Sequence, residues 1–291
     1  MTKLFALLLV LPLSTFSFSQ TKLIPLYEGV PKGSEIWTQQ EREMLIPGTN
    51  ILLVQNVVKP SLHVFYPPKE IANGAAIIVA PGGGFETIVE GVEGTPVADS
   101  LTARGFTVFL LRYRLLKTND NFLYRADKKS GLSKDNRLQL VKETLRPFII
   151  EDAKTAVRYV RSHATEFGIR KDRIGFMGFS AGGMVASLIA TEYDSSSRPD
   201  FVAPIYGAFE DEIIVPKDAP PIFLAQASDD KVVGTEGTFR FYNAWLNANK
   251  NVELHVFEKG GHGFGALKKN LPVDHWISIF YYWLQGEGFV R

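Results

Sequence analysis

The sequence predicts an α/β fold, a mostly parallel central sheet with helices on both faces, and three observations carry that expectation. Short, largely apolar runs recur at 75–80, 106–111, 174–177, 201–206 and 222–227, as expected of strands buried on both faces rather than of half-solvated antiparallel strands, and a last run at 252–257 also reads as a strand. Segments with helical spacing lie between several of them, notably Ala153, Ala156, Val157, Val160, Ala164 and Phe167. Glycine-rich turns follow three of the runs, at 82–84, 178–183 and 260–265, where open α/β sheets place their ligands. With 291 residues and 45% hydrophobic content, the chain has material for one large domain with an ample core.

In chain order, Lys3 precedes an apolar run at 4–13, and Ser17 and Ser19 suit a signal peptidase. Residues 1–19 are therefore expected to be a signal peptide. The run is shorter than the roughly 20 apolar residues that a membrane span needs, so no membrane association is expected after cleavage. Residues 20–50, with Pro25, Pro31 and Pro47, read as an arm laid over the domain at 51–291. The runs at 51–58 and 62–66, separated by Lys59-Pro60-Ser61, suggest a hairpin. Thr95-Pro96 and Gly105 bracket a helix as cap, first-turn proline and terminating glycine. Residues 115–147 are charged and settle into no pattern before the helix at Glu151. They read as an insertion on the edge of the sheet that bears the glycine loops, placed to form a lid or rim, with Phe122 and Tyr124 as candidate sugar-stacking or anchoring residues.

Net charge is +1 and no basic cluster is interleaved with aromatics, so no nucleic-acid partner is expected. The absence of cysteine excludes disulfides, thiolate metal sites and a cysteine nucleophile.

The chemistry centres on Gly178-Phe179-Ser180-Ala181-Gly182-Gly183, which lies between a strand and a helix-like segment. A serine there sits on a sharp turn, its hydroxyl projecting clear of the sheet, and side chains two residues either side would collide with the neighbouring strand and helix. Pro81-Gly82-Gly83-Gly84-Phe85 lacks the Gly-Lys-Ser/Thr of a phosphate loop. It reads instead as half of an oxyanion hole, with Gly83 central and Gly82 or Gly84 beside it. Ser228-Asp229-Asp230 ends the run at 222–227, where a carboxylate either caps the next helix or orients a catalytic histidine. His262 lies in a glycine loop, whereas His63, His163, His255 and His275 fall within predicted strands and helices. The order Ser180, Asp229, His262 differs from the orders of chymotrypsin and subtilisin and is that of the α/β-hydrolases.

On these stretches, together with Asp229-Asp230-Lys231-Val232-Val233 and the ending with Trp276 and Trp283-Leu284, residues 50–285 resemble bacterial acetyl xylan esterase-like carboxylesterases of the α/β-hydrolase superfamily. The resemblance implies an exported, metal-free serine esterase without a cofactor, acting on a small acyl ester or an acetylated oligosaccharide such as one from xylan. It implies Ser180 as nucleophile, His262 as base and Asp229, ahead of Asp230, as the acid facing the histidine. Gly83, Gly84 and Ala181 would form the oxyanion hole, and Phe85 and Phe179 the substrate-binding positions. Esterases similar to hormone-sensitive lipase carry histidine before the three glycines and an acid before the serine, where this chain has Pro81 and Phe179. A catalytically silent glycan-associated module and a small peptidase related to the prolyl oligopeptidases are the alternatives.

Overall fold

The computed structural model describes residues 22–49, 51–118, 134–208 and 212–291. The signal-peptide expectation for 1–19, and Phe122 and Tyr124 of the insertion, lie outside the described residues. In chain order the strands are β1 (Lys22–Pro25), β2 (Arg42–Leu45), β3 (Leu52–Gln55), β4 (Ser61–Phe65), β5 (Ala76–Ala80), β6 (Thr87–Val89), β7 (Thr107–Arg112), β8 (Ile174–Phe179), β9 (Phe201–Ile205), β10 (Ile222–Ala227) and β11 (Val252–Phe257). The α-helices are α1 (Thr95–Thr102), α2 (Lys134–Leu140), α3 (Arg146–Ser162), α4 (Ala181–Thr191), α5 (Glu236–Asn247) and α6 (Trp276–Gly286).

Eight strands form one sheet in the order β1-β4-β7-β5-β8-β9-β10-β11. The six from β7 to β11 run parallel, while β1 and β4 pair antiparallel at one edge. Strand β5, AIIVA and buried along its whole length, shows why the central strands are so apolar. Successive side chains alternate faces, and both faces are covered. Ile78 and Ala80 pack in a cluster with Val157 of α3, Val185 of α4 and Trp245 of α5. Ile77 and Val79 pack with Val97 and Leu101 of α1 and Phe280 and Leu284 of α6. Each Ile, Val, Leu or Phe side chain so withdrawn from water contributes about 1.5–3 kcal/mol.

Three expectations are corrected. The 51–58 and 62–66 runs are not a hairpin: β3 pairs with β2 and β6 in a separate three-stranded sheet, and β4 joins the large one. The switch is made at Asn56, whose φ of +56° takes it out of the extended region. Its side-chain oxygen accepts the N–H of Thr118 at 2.7 Å. The segment 20–50 is more than an overlying arm, since it supplies β1 to the large sheet and β2 to the small one. Within the insertion, regular structure begins well before Glu151. Helix α2 runs through a π turn, Val141–Leu145, into α3, with Val141, Leu145 and Ile149 buried at successive turns. Pro147, at the start of α3, directly follows that π turn, where the i→i−4 hydrogen-bond ladder is already shifted and a missing N–H is more easily accommodated than in a regular helix interior.

Candidate active site

The C-terminal ends of β5, β8, β10 and β11 converge on one site. At the end of β8, Ser180 adopts φ +51°, ψ −115°, a strained conformation for a residue with a side chain. The turn closes only because its flanks are glycine. A Cβ on Gly178 would lie 1.9 Å from the Gly182 carbonyl oxygen, and one on Gly182 2.0 Å from that of Ala80. Helix α4 starts immediately after the serine, so the Ala181 N–H has no intrahelical acceptor and points where the helix dipole favours negative charge.

Ser180 Oγ lies 2.8 Å from His262 Nε2. His262 sits in the loop after β11, between Gly261 at φ +62° and Gly263 at φ +70°. On the other side of the ring, Nδ1 is 2.8 Å from Asp230 Oδ2. Ionised Asp230 can only accept, which assigns Nδ1 as the protonated nitrogen and leaves Nε2 to accept the serine proton.

The expectation that Asp229 faces the histidine is corrected. Asp229 is exposed, and its Oδ1 accepts the N–H groups of Gly260 and Gly261 at 2.9 and 2.7 Å, so it anchors the histidine loop through the backbone. The Asp230 side chain is fully buried, and its Oδ1 accepts from Val232 and Val233, both at 2.9 Å. Burial pushes the Asp230 carboxyl up, but the bonds from His262, Val233 and Val232 outweigh it, and its pKa lies below the ordinary carboxylate value. A carboxyl depressed on folding contributes stability above its unfolded pKa of about 3.9, and that contribution is lost as pH falls through the lower folded value. The acid is therefore ionised throughout the pH range in which a histidine titrates.

In the glycine loop after β5, the Gly82 N–H is committed to Glu93 Oε2 at 2.7 Å, which leaves Gly83 and Gly84 as the loop's candidate oxyanion donors. Gly83 has φ +131°, and a Cβ there would lie 2.1 Å from the Thr87 carbonyl oxygen. Tyr113 holds the loop from below, its hydroxyl donating to the Pro81 carbonyl at 2.7 Å.

Beside Ser180 is a pocket of about 110 Å³, lined by Gly84, Phe85, Arg137, Leu138, Val141, Ala181, Met184, Val232 and Val233. Helix α2 of the insertion thus forms one wall, and its Arg137 Nη1 lies 3.7 Å from Glu86. Of the two residues expected at substrate-binding positions, Phe85 lines this pocket. Phe179 does not. It is fully buried on the opposite face of the sheet, its ring 5.8 Å from that of Tyr206 and 5.7 Å from that of Trp276, because consecutive strand residues point to opposite faces. A larger cavity, about 460 Å³, borders Asn73 and Arg104, which precede β5 and β7 and so lie at the edge of the sheet away from Ser180.

Serine, histidine and buried acid in line, with a helix N-terminus and a glycine loop beside the serine, make the site that of a serine hydrolase. Sequence reasoning weighed both acids but ranked Asp229 ahead of Asp230, and it missed Glu93 and Tyr206. For Asp230 a signal existed: an aspartate two and three residues before Val232 and Val233 suits a side-chain-to-backbone turn, which fixes its carboxylate inward.

The family model described as BD-FAE matches residues 135–213, and that of the prolyl oligopeptidase family matches residues 205–287. An acetylxylan esterase from Xylanibacter ruminicola is 26% identical over 240 residues, covering 71% of this chain and 44% of that protein. An endo-1,4-beta-xylanase B from Butyrivibrio fibrisolvens is 26% identical over 242 residues, covering 70% of this chain and 34% of that protein. The chain thus corresponds to less than half the length of either relative. Among solved structures, an acetyl ester-xyloside bifunctional hydrolase from Caldicellulosiruptor lactoaceticus superposes with a TM-score of 0.60 at 24% identity, covering 93% of this chain and 97% of that one.

Proposed function

We propose that this chain, an α/β-hydrolase similar in sequence to acetylxylan esterases, is an exported serine carboxylesterase that removes acetyl or other short acyl groups from plant polysaccharide or its oligosaccharides. The observation that carries the reading is the line from Ser180 through His262 to Asp230, with both contacts at 2.8 Å, opening on a small pocket. His262 Nε2 takes the serine proton as Oγ attacks the ester carbonyl, and the Ala181 and Gly83 N–H groups receive the developing oxyanion. The imidazolium then gives its proton to the leaving alcohol oxygen as the C–O bond breaks. Water repeats the two steps on the acyl-enzyme, releasing the acid and restoring the serine. The export element of the proposal rests on residues 1–19 of the sequence.

The pocket volume of about 110 Å³ and the side chains of Phe85, Leu138, Val141 and Met184 around it favour a short acyl chain. Acetyl and propionyl p-nitrophenyl esters are expected to be turned over with kcat/KM at least about 10-fold higher than octanoyl ones, since one misfitting methylene already costs about 1–3 kcal/mol. Measuring kcat/KM across the chain-length series checks this, with acetylated xylo-oligosaccharides as the natural-type substrate. An octanoyl preference would contradict the small-pocket reading, and cleavage of peptide anilides in place of esters would favour the peptidase alternative.

A further inference from the structure

Glu93 lies beneath the site and takes no part in the mechanism described so far. It follows β6 in a π turn, Glu90–Gly94, that enters α1, and it is 5% exposed. Its Oε2 accepts the N–H of Gly82 in the oxyanion loop at 2.7 Å, and its Oε1 accepts the hydroxyl of Tyr206 at 2.8 Å. That hydroxyl in turn accepts the N–H of Gly265, in the histidine loop, at 3.0 Å. A Cβ placed on Gly263 would lie 3.9 Å from Glu93 Oε1, and one on Gly265 3.4 Å from its Cγ, so the carboxylate sits directly under the loop that carries His262. The Tyr206 ring meets the imidazole edge-on, centroids 5.3 Å apart, and Tyr206 is held at φ +38°, a conformation a tyrosine rarely adopts.

With both oxygens receiving donated protons, the ionised form of Glu93 fits its surroundings. Burial nevertheless pushes its pKa up, opposed by the bonds from Tyr206 and Gly82 and by His262. Two other buried acids, Glu90 and Asp152, have cationic partners. Glu90 pairs with Arg112 at 2.6 Å and Asp152 with Arg114 at 2.7 Å. Among the described residues Glu93 pairs with no lysine or arginine, and the charge acting on it is that of His262. The titratable groups around it are Tyr206 and Tyr113, both pushed upward by burial and by Glu93 itself, and Asp230 lies on the far side of the imidazole.

We propose that Glu93 is a positioning residue, a second buried carboxylate that stabilises His262 when it becomes charged and, through Gly82 and Tyr206, fixes the oxyanion loop against the histidine loop. The inference rests on the serine-esterase reading for its catalytic consequence. An unpaired buried charge is costly in the resting enzyme, and it favours the state in which the imidazole carries the serine proton, the condition for lowering the barrier rather than tightening substrate binding.

The test is NMR titration of the His262 ring in wild type, Glu93→Gln and Glu93→Asp, its signal assigned by its loss in His262→Ala. In Glu93→Gln the ring is expected to titrate at lower pH, because a nearby buried negative charge has gone, and Glu93→Asp should restore most of that difference. On p-nitrophenyl acetate, Glu93→Gln should lose about 10- to 100-fold in kcat with KM within about threefold of wild type. If Glu93→Gln does not fold, Tyr206→Phe, which loses only the bridging hydroxyl, should still lower kcat by about 10-fold at unchanged KM. A His262 ring that titrates alike in wild type and Glu93→Gln, or a Tyr206→Phe protein with wild-type kcat, would overturn the inference. The titration reads Glu93 whether or not the protein hydrolyses esters, so failure of the esterase reading is seen separately, as a wild-type protein without turnover.

Discussion

Ser180→Ala is expected to remove nearly all ester hydrolysis, a loss on the order of 10⁴-fold or more in kcat, while the protein stays folded. The substitution removes one hydroxyl whose structural contact is with His262 at 2.8 Å, and the left-handed turn is no more strained for alanine than for serine. His262→Ala should cost nearly as much, and the double variant little more than either single one, because nucleophile and base act as a unit. Steady-state kinetics on p-nitrophenyl acetate, with circular dichroism to confirm the fold, would check this. Substantial turnover by folded Ser180→Ala would mean that another group performs the attack.

The second large effect separates the two adjacent acids. Asp230→Asn should lower kcat on the order of 10³- to 10⁴-fold, because an amide facing Nδ1 permits the tautomer whose Nε2 carries the proton and cannot accept one from serine. Asp229→Asn should cost less than about 10-fold, since the amide oxygen can still accept the Gly260 and Gly261 N–H groups and only the charge assistance of those bonds is lost. The comparison is made on kcat for the same ester at the same pH. A larger loss for Asp229→Asn than for Asp230→Asn would reverse the assignment made from the 2.8 Å contact between His262 and Asp230.

These two predictions differ in how far the sequence anticipates them. The serine turn is legible because its requirement is local: a strand, glycines where any Cβ would strike backbone, and a helix start, all within a few residues. The central parallel strands are legible because helices cover both faces and leave little polar alternation, whereas the edge strand β11 alternates at Glu253 and His255. The choice between Asp229 and Asp230 is not, because one step along a turn reverses which side chain points inward, and only the packed histidine loop decides it. Phe179, the last residue of β8, points away from the pocket, while Ser180 faces it because the strand ends there in a turn with φ +51°. Glu93 is silent in sequence for a different reason. Its partners Gly82, Tyr206 and Gly265 come from three separate loops, so nothing in the spacing around residue 93 marks it. The strands of the 20–50 segment are likewise made by partners far along the chain, as in the pairing of Leu23 with His63.

The central claim is that Ser180 is the nucleophile of a serine hydrolase activated through His262. The measurement that tests it most directly is peptide mass spectrometry after reaction with paraoxon, which phosphorylates an activated serine without needing the natural ester. The predicted result is one diethylphosphoryl group per chain, on the peptide containing Ser180, absent in Ser180→Ala and formed far more slowly in His262→Ala. A folded wild-type protein that gains no adduct, or gains it on a residue other than Ser180, would contradict the claim.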